Sequence, residues 1–182
     1  VSLGRMSKWA LPRQAARIYI SVMRGTPLML QLFFFYFGPY YAFGISSGEN
    51  YRFVACIVAF SLNYAAYFAE IYRAGIESIP AGQHEAAKML GFTRAQTFFR
   101  IVLPQVVKRI MPSVTNEVIT LVKDTSMAFT LAYMEMFSIG KQIANSQSSF
   151  LPFVIAGVFY YLMNSVVAFV MSRCEKALSY YR

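Results

Sequence analysis

The sequence is short of charge. Of its 182 residues, 14% are Asp, Glu, Lys or Arg, against about 25% in an average soluble domain. That is too little polar surface for an ordinary water-soluble fold. Histidine occurs once, as His84. A zinc site of the H-E-x-x-H kind needs two, and Lys88 stands where the second ligand would be. No Ser/His/Asp set can be completed within an apolar run either. The two cysteines, Cys56 inside such a run and Cys174 near the C-terminus, make neither a disulfide framework nor a metal-ligand spacing. The G-x-x-x-x-G-K-[ST] phosphate loop is missing, so any ATP hydrolysis coupled to this chain belongs to another one. Missing too is a repeat between the two halves of the chain, the feature expected of a gradient-driven carrier.

What the sequence does have is 57% apolar and 17% aromatic residues, arranged in long charge-free runs. Seventeen Lys and Arg against eight Asp and Glu leave a net charge of +9, yet no nucleic-acid-binding motif accompanies the cations. A spanning helix needs roughly 20 mostly apolar residues. With the charges as punctuation, four such segments are expected, at about 25–45, 53–72, 104–125 and 150–172. Met127 to Phe137 is apolar enough for a re-entrant or surface helix but is not counted as a span. The connections on one side hold Arg5, Lys8, Arg13, Arg17, Arg24, Arg73, Lys88, Arg94, Arg100, Lys108, Arg109, Arg173, Lys176 and Arg182; the other side has Arg52, Lys123 and Lys141. By the positive-inside rule the first side is cytoplasmic, and the regions around Ser46 to Tyr51 and Lys123 to Ser149 face outward. Trp9 to Met23 reads as a basic helix on the inner leaflet. Its Arg13, Arg17 and Arg24 lie within about 40° of one another, opposite Ile18, Tyr19 and Val22.

Polar residues inside apolar helices are costly and usually face a protein interior or a wet cavity. Ser113, Glu117, Thr120 and Asp124 share one face of the third segment, within about 60°. In the second, Asn63, Ala66 and Glu70 form a shorter stripe, and Ser61, Ala65 and Ala69 a small-residue seam suited to helix packing. Two roles fit the stripes: lining a translocation path, with Asn63, Ser113, Glu117, Thr120 and Asp124 as its candidates, or hydrogen-bonding between helices. Glu117 fits the first by its depth, Glu70 the second by its neighbour Arg73; Asp124 has Lys123 beside it as a paired charge.

Between the second and third segments the chain carries well-formed helix signals. Ser78 and Pro80 mark a start, Glu85 to Met89 are helix formers, and Gly91 supplies a stop. Thr93 to Gln96 is a capping box opening a second short helix, which Pro104 is expected to separate from the third span. Small Ala86, Ala87 and Gly91 admit close approach, either by another chain or by this chain's own helices.

The string EAAKMLGF followed by FRIVLP resembles the EAA motif of the permease subunits of bacterial ATP-binding-cassette importers. Glu85, Ala86, Ala87, Gly91, Ile101, Leu103 and Pro104 match it in order and spacing. RGTPLMLQLFFFYFG at 24–38, SLNYAAYFAEIYRAGIESIPAGQ at 61–83 and LPQVVKRIMPSVTNEVITLVKDTS at 103–126 resemble the polar amino-acid uptake subgroup. The resemblance implies an all-α polytopic membrane protein with the type I importer permease fold. It would sit in the bacterial cytoplasmic membrane with its C-terminus in the cytoplasm, as one permease domain over 1–182. Such a subunit translocates polar amino acids by alternating access, is not an enzyme and binds no cofactor. ATP and magnesium belong to separate ATPase subunits, in a groove of which the coupling helix, within 78–103, is seated. The other partners implied are a second permease subunit, an extracytoplasmic amino-acid-binding protein and membrane lipid, but no nucleic acid. Members of the subgroup have one more spanning helix before the equivalent of Arg5, so four spans are expected here with the family's first one missing.

Overall fold

The computed structural model describes residues 1–6, 9–44 and 48–178. Lys8 and Arg182 among the expected cytoplasmic cations, Ser46 in the first outward region, and the end of the first expected span at 45 lie outside the described residues. All regular structure in the described residues is helical. In chain order it comprises α1 (Ser2–Arg5), α2 (Ala10–Gly25), α3 (Leu28–Phe43), α4 (Glu49–Glu77), α5 (Ala81–Met89) and α6 (Arg94–Thr97). A π-helical turn (Phe98–Val102), α7 (Leu103–Asp124), a 3-10 helix (Thr125–Leu131), α8 (Met136–Gln147) and α9 (Leu151–Ala177) follow.

The chain bends by 109° between α2 and α3. Proline disfavours helical backbone in the residue before it, and Thr26, preceding Pro27, is extended with φ −116° and ψ 143°. The carbonyls stranded by this bend are met by side chains. Gln31 Nε2 donates to Met23 O at 2.9 Å and to Thr26 Oγ1 at 2.8 Å. Asn63 Nδ2, from the middle of α4, donates to Gln31 Oε1 at 3.0 Å and to Met23 O at 3.2 Å. Both amides are buried, where an unmet polar group would cost about 1–3 kcal/mol.

From the bend α3 runs antiparallel to α4, and α4 antiparallel to α7; α9 packs on α7 and α8. Three apolar clusters hold these layers. Leu32, Cys56, Ala59, Ala128 and Leu131 join α3 and α4 to the 3-10 helix. Ile20 sits on Ala66 and Ala69, fixing α2 across α4. Ile79, Val102, Val106 and Ile110 bind the foot of α7 to the end of α4. There side chains of α7 press on the backbone of α4: a Cβ on Gly75 would lie 2.3 Å from Ile110 Cγ2 and 3.1 Å from Val106 Cγ1.

Several expectations change. Asn50–Glu77 and Leu151–Ala177 are long and apolar enough to cross a membrane, and α2 with α3 passes the same test only as a bent pair. The expected first span thus resolves into the 16 residues of α3, about 24 Å of helix. Segment 104–125 forms α7, but it carries Lys108, Arg109, Glu117, Lys123 and Asp124 and does not meet the apolarity test. The Met127 to Phe137 stretch is not one helix. Its first part is the 3-10 helix, ended by left-handed Ala132 at φ 52°, and its last part opens α8. Pro104 does not separate α6 from α7; it sits in the first turn of α7, and the π-helical turn before it keeps the chain helical throughout. On α4, Asn63 and Ala66 of the polar stripe are buried in packing, while in the small-residue seam Ala69 is buried, Ala65 half-buried and Ser61 exposed.

Overpacking a tight helix contact costs typically 1–3 kcal/mol. Gly75→Ala is therefore expected to lower the thermal midpoint of the detergent-purified protein. Combined with Ile110→Ala, which removes the clashing methyl, it should cost less than the sum of the two single changes in a double-mutant cycle of thermal midpoints.

Candidate functional site

The helix pair between α4 and α7 is built by local chemistry. Ser78 Oγ donates to Gly75 O at 2.7 Å as α4 ends, and Ile79 turns into the cluster at the foot of α7. Pro80 is the N-cap of α5. At its far end Gly91 N–H donates to Lys88 O at 3.0 Å and Phe92 N–H to Ala87 O at 3.0 Å, with Gly91 at φ 77°. This is a Schellman termination, whose left-handed residue favours glycine. Thr93 and Gln96 then form the expected capping box: Gln96 N–H donates to Thr93 Oγ1 and Thr93 N–H to Gln96 Oε1. Two links hold the pair to α7. Gln105 Nε2 donates to Gln83 Oε1 at 3.4 Å, and Arg109 donates to the carbonyl of Ser78.

These links divide the EAA residues. Ala87 is 1% exposed, and Ile101 and Leu103 are half-buried; they serve the chain's own packing. Glu85, Ala86, Gly91 and Pro104 are exposed. So are Met89 and Leu90, at 91% and 74%, which project from the end of α5 between Lys88 and Gly91. Their aliphatic bulk beside a glycine is visible in the sequence, although neither is one of the matched motif residues.

Next to this helix pair lies an open cavity of about 620 Å³, walled by α2, α4 and α7. Arg24, Tyr67, Glu70, Arg73, Ser113 and Glu117 are among its lining residues. The Arg24 guanidinium lies 5.3 Å from the centre of the Tyr67 ring, in cation–π contact. Glu70 is held by Arg73 at 2.7 Å and Arg5 at 3.4 Å, and Arg73 also reaches Glu77 at 2.5 Å. Ser113 and Glu117 of the polar stripe thus come together on one wall, but the other candidates do not join them. Thr120 Oγ1 turns back to Asn116 O at 2.9 Å. Asp124 accepts from the Tyr64 hydroxyl at 2.8 Å, a tie to α4 rather than a pair with Lys123. Asn63 is spent on the bend between α2 and α3.

Sequence reasoning missed both tyrosine–carboxylate ties. The second joins Tyr160 of α9 to Glu135 Oε2 at 3.1 Å, and Glu135 itself caps α8 by accepting from Phe137 N–H and Ser138 N–H. Its signal was present but inverted, with the acid at the cap and the serine three residues on. Among the described residues no group of three or more His, Cys, Asp and Glu is placed to hold a metal ion.

Comparison with known proteins bears on this arrangement directly. The family described as "Binding-protein-dependent transport system inner membrane component" matches residues 1–180. The chain is 40% identical over 184 residues to an octopine transport system permease protein of Rhizobium radiobacter, covering 98% of this chain and 75% of that one. It is 37% identical over 183 residues to an L-cystine transport system permease protein of Bacillus subtilis, covering 99% and 76%. Among solved structures, an amino acid ABC transporter with histidines superposes with a TM-score of 0.86 at 32% identity, over 97% of this chain and 81% of that one. An inward-facing methionine ABC transporter shares the fold, with a TM-score of 0.73 at 21% identity over 93% and 76%. A match over nearly the whole length, in family, relatives and fold alike, makes this chain a member of the binding-protein-dependent transport system inner membrane components, the permease subunits of ATP-driven importers.

Proposed function

We propose that this permease subunit carries polar amino acids across the bacterial cytoplasmic membrane and that α5 is its coupling helix. The observation that carries the reading is the pairing of an outward-projecting apolar tip, Met89 and Leu90, with a helical path running unbroken from α6 to the Glu117 wall of the cavity. An apolar patch exposed on a polar helix pair marks an interaction site. The occupant proposed here is a groove of a separate ATPase subunit, which holds ATP and magnesium. Because Ala87 of α5 is buried, Gln83 of α5 is bonded by Gln105 of α7 and the foot of α7 is packed against Ile79 and Val102, a displacement of α5 is passed to α7 through these contacts. Closure of two ATPases would then rock this subunit against a second permease, alternately exposing the cavity to each side.

In this reading the chain is one domain of four spans with its C-terminus in the cytoplasm. Alpha-helices α4, α7 and α9 supply three of them, and α3 supplies the fourth. The amino-acid class is supported by relatives named for octopine, cystine and glutamine transport. It is supported also by the cavity's opposite charges. Glu117 offers a carboxylate to a substrate ammonium, and Arg24, facing the same space, offers a guanidinium to its carboxylate. Arg24 replaces Asn63 in that second role, since the Asn63 amide is already engaged. First selection of substrate falls to an extracytoplasmic binding protein.

Leu90 is largely exposed, so Leu90→Glu is expected to change the permease's thermal midpoint little. Burying a leucine stabilises by about 1.5–3 kcal/mol, and its loss should weaken co-purification of the ATPase and coupled hydrolysis by tenfold or more. Unimpaired coupling in reconstituted vesicles would remove α5 from the docking surface. Glu117→Gln is expected to cut amino-acid uptake into proteoliposomes by about tenfold, the equivalent of one charged contact of about 1.4 kcal/mol. Assembly with the ATPase should be retained, and unchanged uptake would take Glu117 off the path.

A further inference from the structure

Helix α2 carries a surface that neither the coupling region nor the cavity uses. Its sequence, ALPRQAARIYISVMRG, contains no acidic residue. Arg13 and Arg17 are exposed, and the ion pairs of the described residues, Arg5–Glu70, Arg73–Glu70 and Arg73–Glu77, include neither. The third arginine of the stripe, Arg24, is turned onto Tyr67.

The helix has three distinct sides. Tyr19, Ile20 and Met23 pack against Ala66 and Ala69 of α4, and the Tyr19 hydroxyl donates to Leu62 O at 2.5 Å. At 100° per residue, Arg13 and Arg17 stand roughly 90° round from that packed side, while Leu11, Ile18 and Val22 stand roughly 130° round the other way. Those three apolar side chains are 84%, 56% and 51% exposed. The arginines and the bare apolar residues therefore stand roughly 140° apart, on either side of the contact with α4.

Its contacts with α4 set its level. α2 meets α4 between Leu62 and Ala69, on the turns that lead to Glu70 and Arg73. With α3 taken as a span, as proposed above, a helix turned by 109° from it runs close to the membrane plane, and one that reaches α4 beside its charged end is set at the edge of the hydrocarbon. At that level one side of the helix meets acyl chains and the opposite side meets phosphates. An amphipathic helix with unpaired guanidinium groups and no carboxylate complements an anionic headgroup, and guanidinium suits a phosphate bidentately.

From this we infer that Arg13 and Arg17 form a binding edge for the phosphate of an anionic phospholipid in the cytoplasmic leaflet, with Leu11, Ile18 and Val22 set into its acyl region. The inference rests on the orientation proposed above, which places α2 on the cytoplasmic side.

The test is made on the detergent-purified transporter with its ATPase subunits, titrated with dioleoyl phosphatidylglycerol or dioleoyl phosphatidylcholine while the thermal midpoint is read. Ligand binding to the folded state raises that midpoint by mass action. Phosphatidylglycerol is expected to raise it more than phosphatidylcholine, and high salt to reduce the difference. The double variant Arg13→Gln/Arg17→Gln should lose at least half of the phosphatidylglycerol-specific shift while keeping its midpoint without added lipid. Arg13→Lys/Arg17→Lys should restore part of it. No preference in the wild type, or a full preference in the glutamine variant, as when an acidic protein surface is the true partner, overturns the site. Orientation is read separately by membrane-impermeant thiol labelling of Gln14→Cys in a Cys174→Ser background. Labelling is expected only in inside-out vesicles. Labelling from the outside overturns the inner-leaflet placement together with the orientation above, whatever the lipid titration gives.

Discussion

Asn63 and Gln31 meet in the interior, one amide donating to the other, and between them they satisfy the carbonyl of Met23 that the turn at Thr26 and Pro27 strands. Much of the molecule depends on that arrangement. It holds α2 at a steep angle to α3 without leaving an unmet backbone group in an apolar setting, where no water can substitute. Because α2 is turned aside, Arg24 reaches Tyr67 and the cavity, and Ile20 can seat on Ala66 and Ala69. A straight continuation from α2 into α3 would carry Arg24 away from α7 and leave those alanines bare.

At the other end of α4 the constraint is steric. Gly75 lets α7 approach until Ile110 and Val106 occupy the volume a side chain would need. The contact sets the foot of α7 where Arg109 can bond the carbonyl of Ser78 and where Val102 closes over Ile79. Two crossings on α4, one secured by amides and one by the lack of a Cβ, thus define the walls of the cavity. These crossings bring the polar groups within it together, and Glu70 with Arg73 and Arg24 with Tyr67 are then held against each other.

The local parts of this structure were legible in the sequence. The caps of α5 and α6 depend on residues within five positions of one another, so Gly91 and the Thr93–Gln96 box could be read directly. Periodicity correctly put Ser113 and Glu117 on one wall. It could not say which neighbour a face meets, which is why Asn63 looked like lining and is packing, and why Asp124 looked paired with Lys123 and is bound to Tyr64. Ala87 posed the same question within one motif: a small residue fits a partner chain and a tight intramolecular contact equally well, and its 1% exposure answers it. Pro104 was misread as a divider because a first-turn proline and a helix breaker look alike until the preceding turn is seen to be π-helical.

The charges along α7 also bear on how the protein is made. A charged residue near the centre of an inserting helix costs about 2.5–3.5 kcal/mol on translocon scales. In the four-span arrangement proposed here, α7 carries Glu117 well inside its length and Lys108, Arg109, Lys123 and Asp124 toward its ends. α4 is apolar enough to enter the bilayer unaided. As α7 emerges later from the ribosome, it finds in α4 a hydroxyl for Asp124 and a groove at Gly75 for Ile110. In that arrangement the packing that shapes the cavity also offsets part of the cost of placing its most polar wall in the bilayer, a cost α7 alone would bear in full.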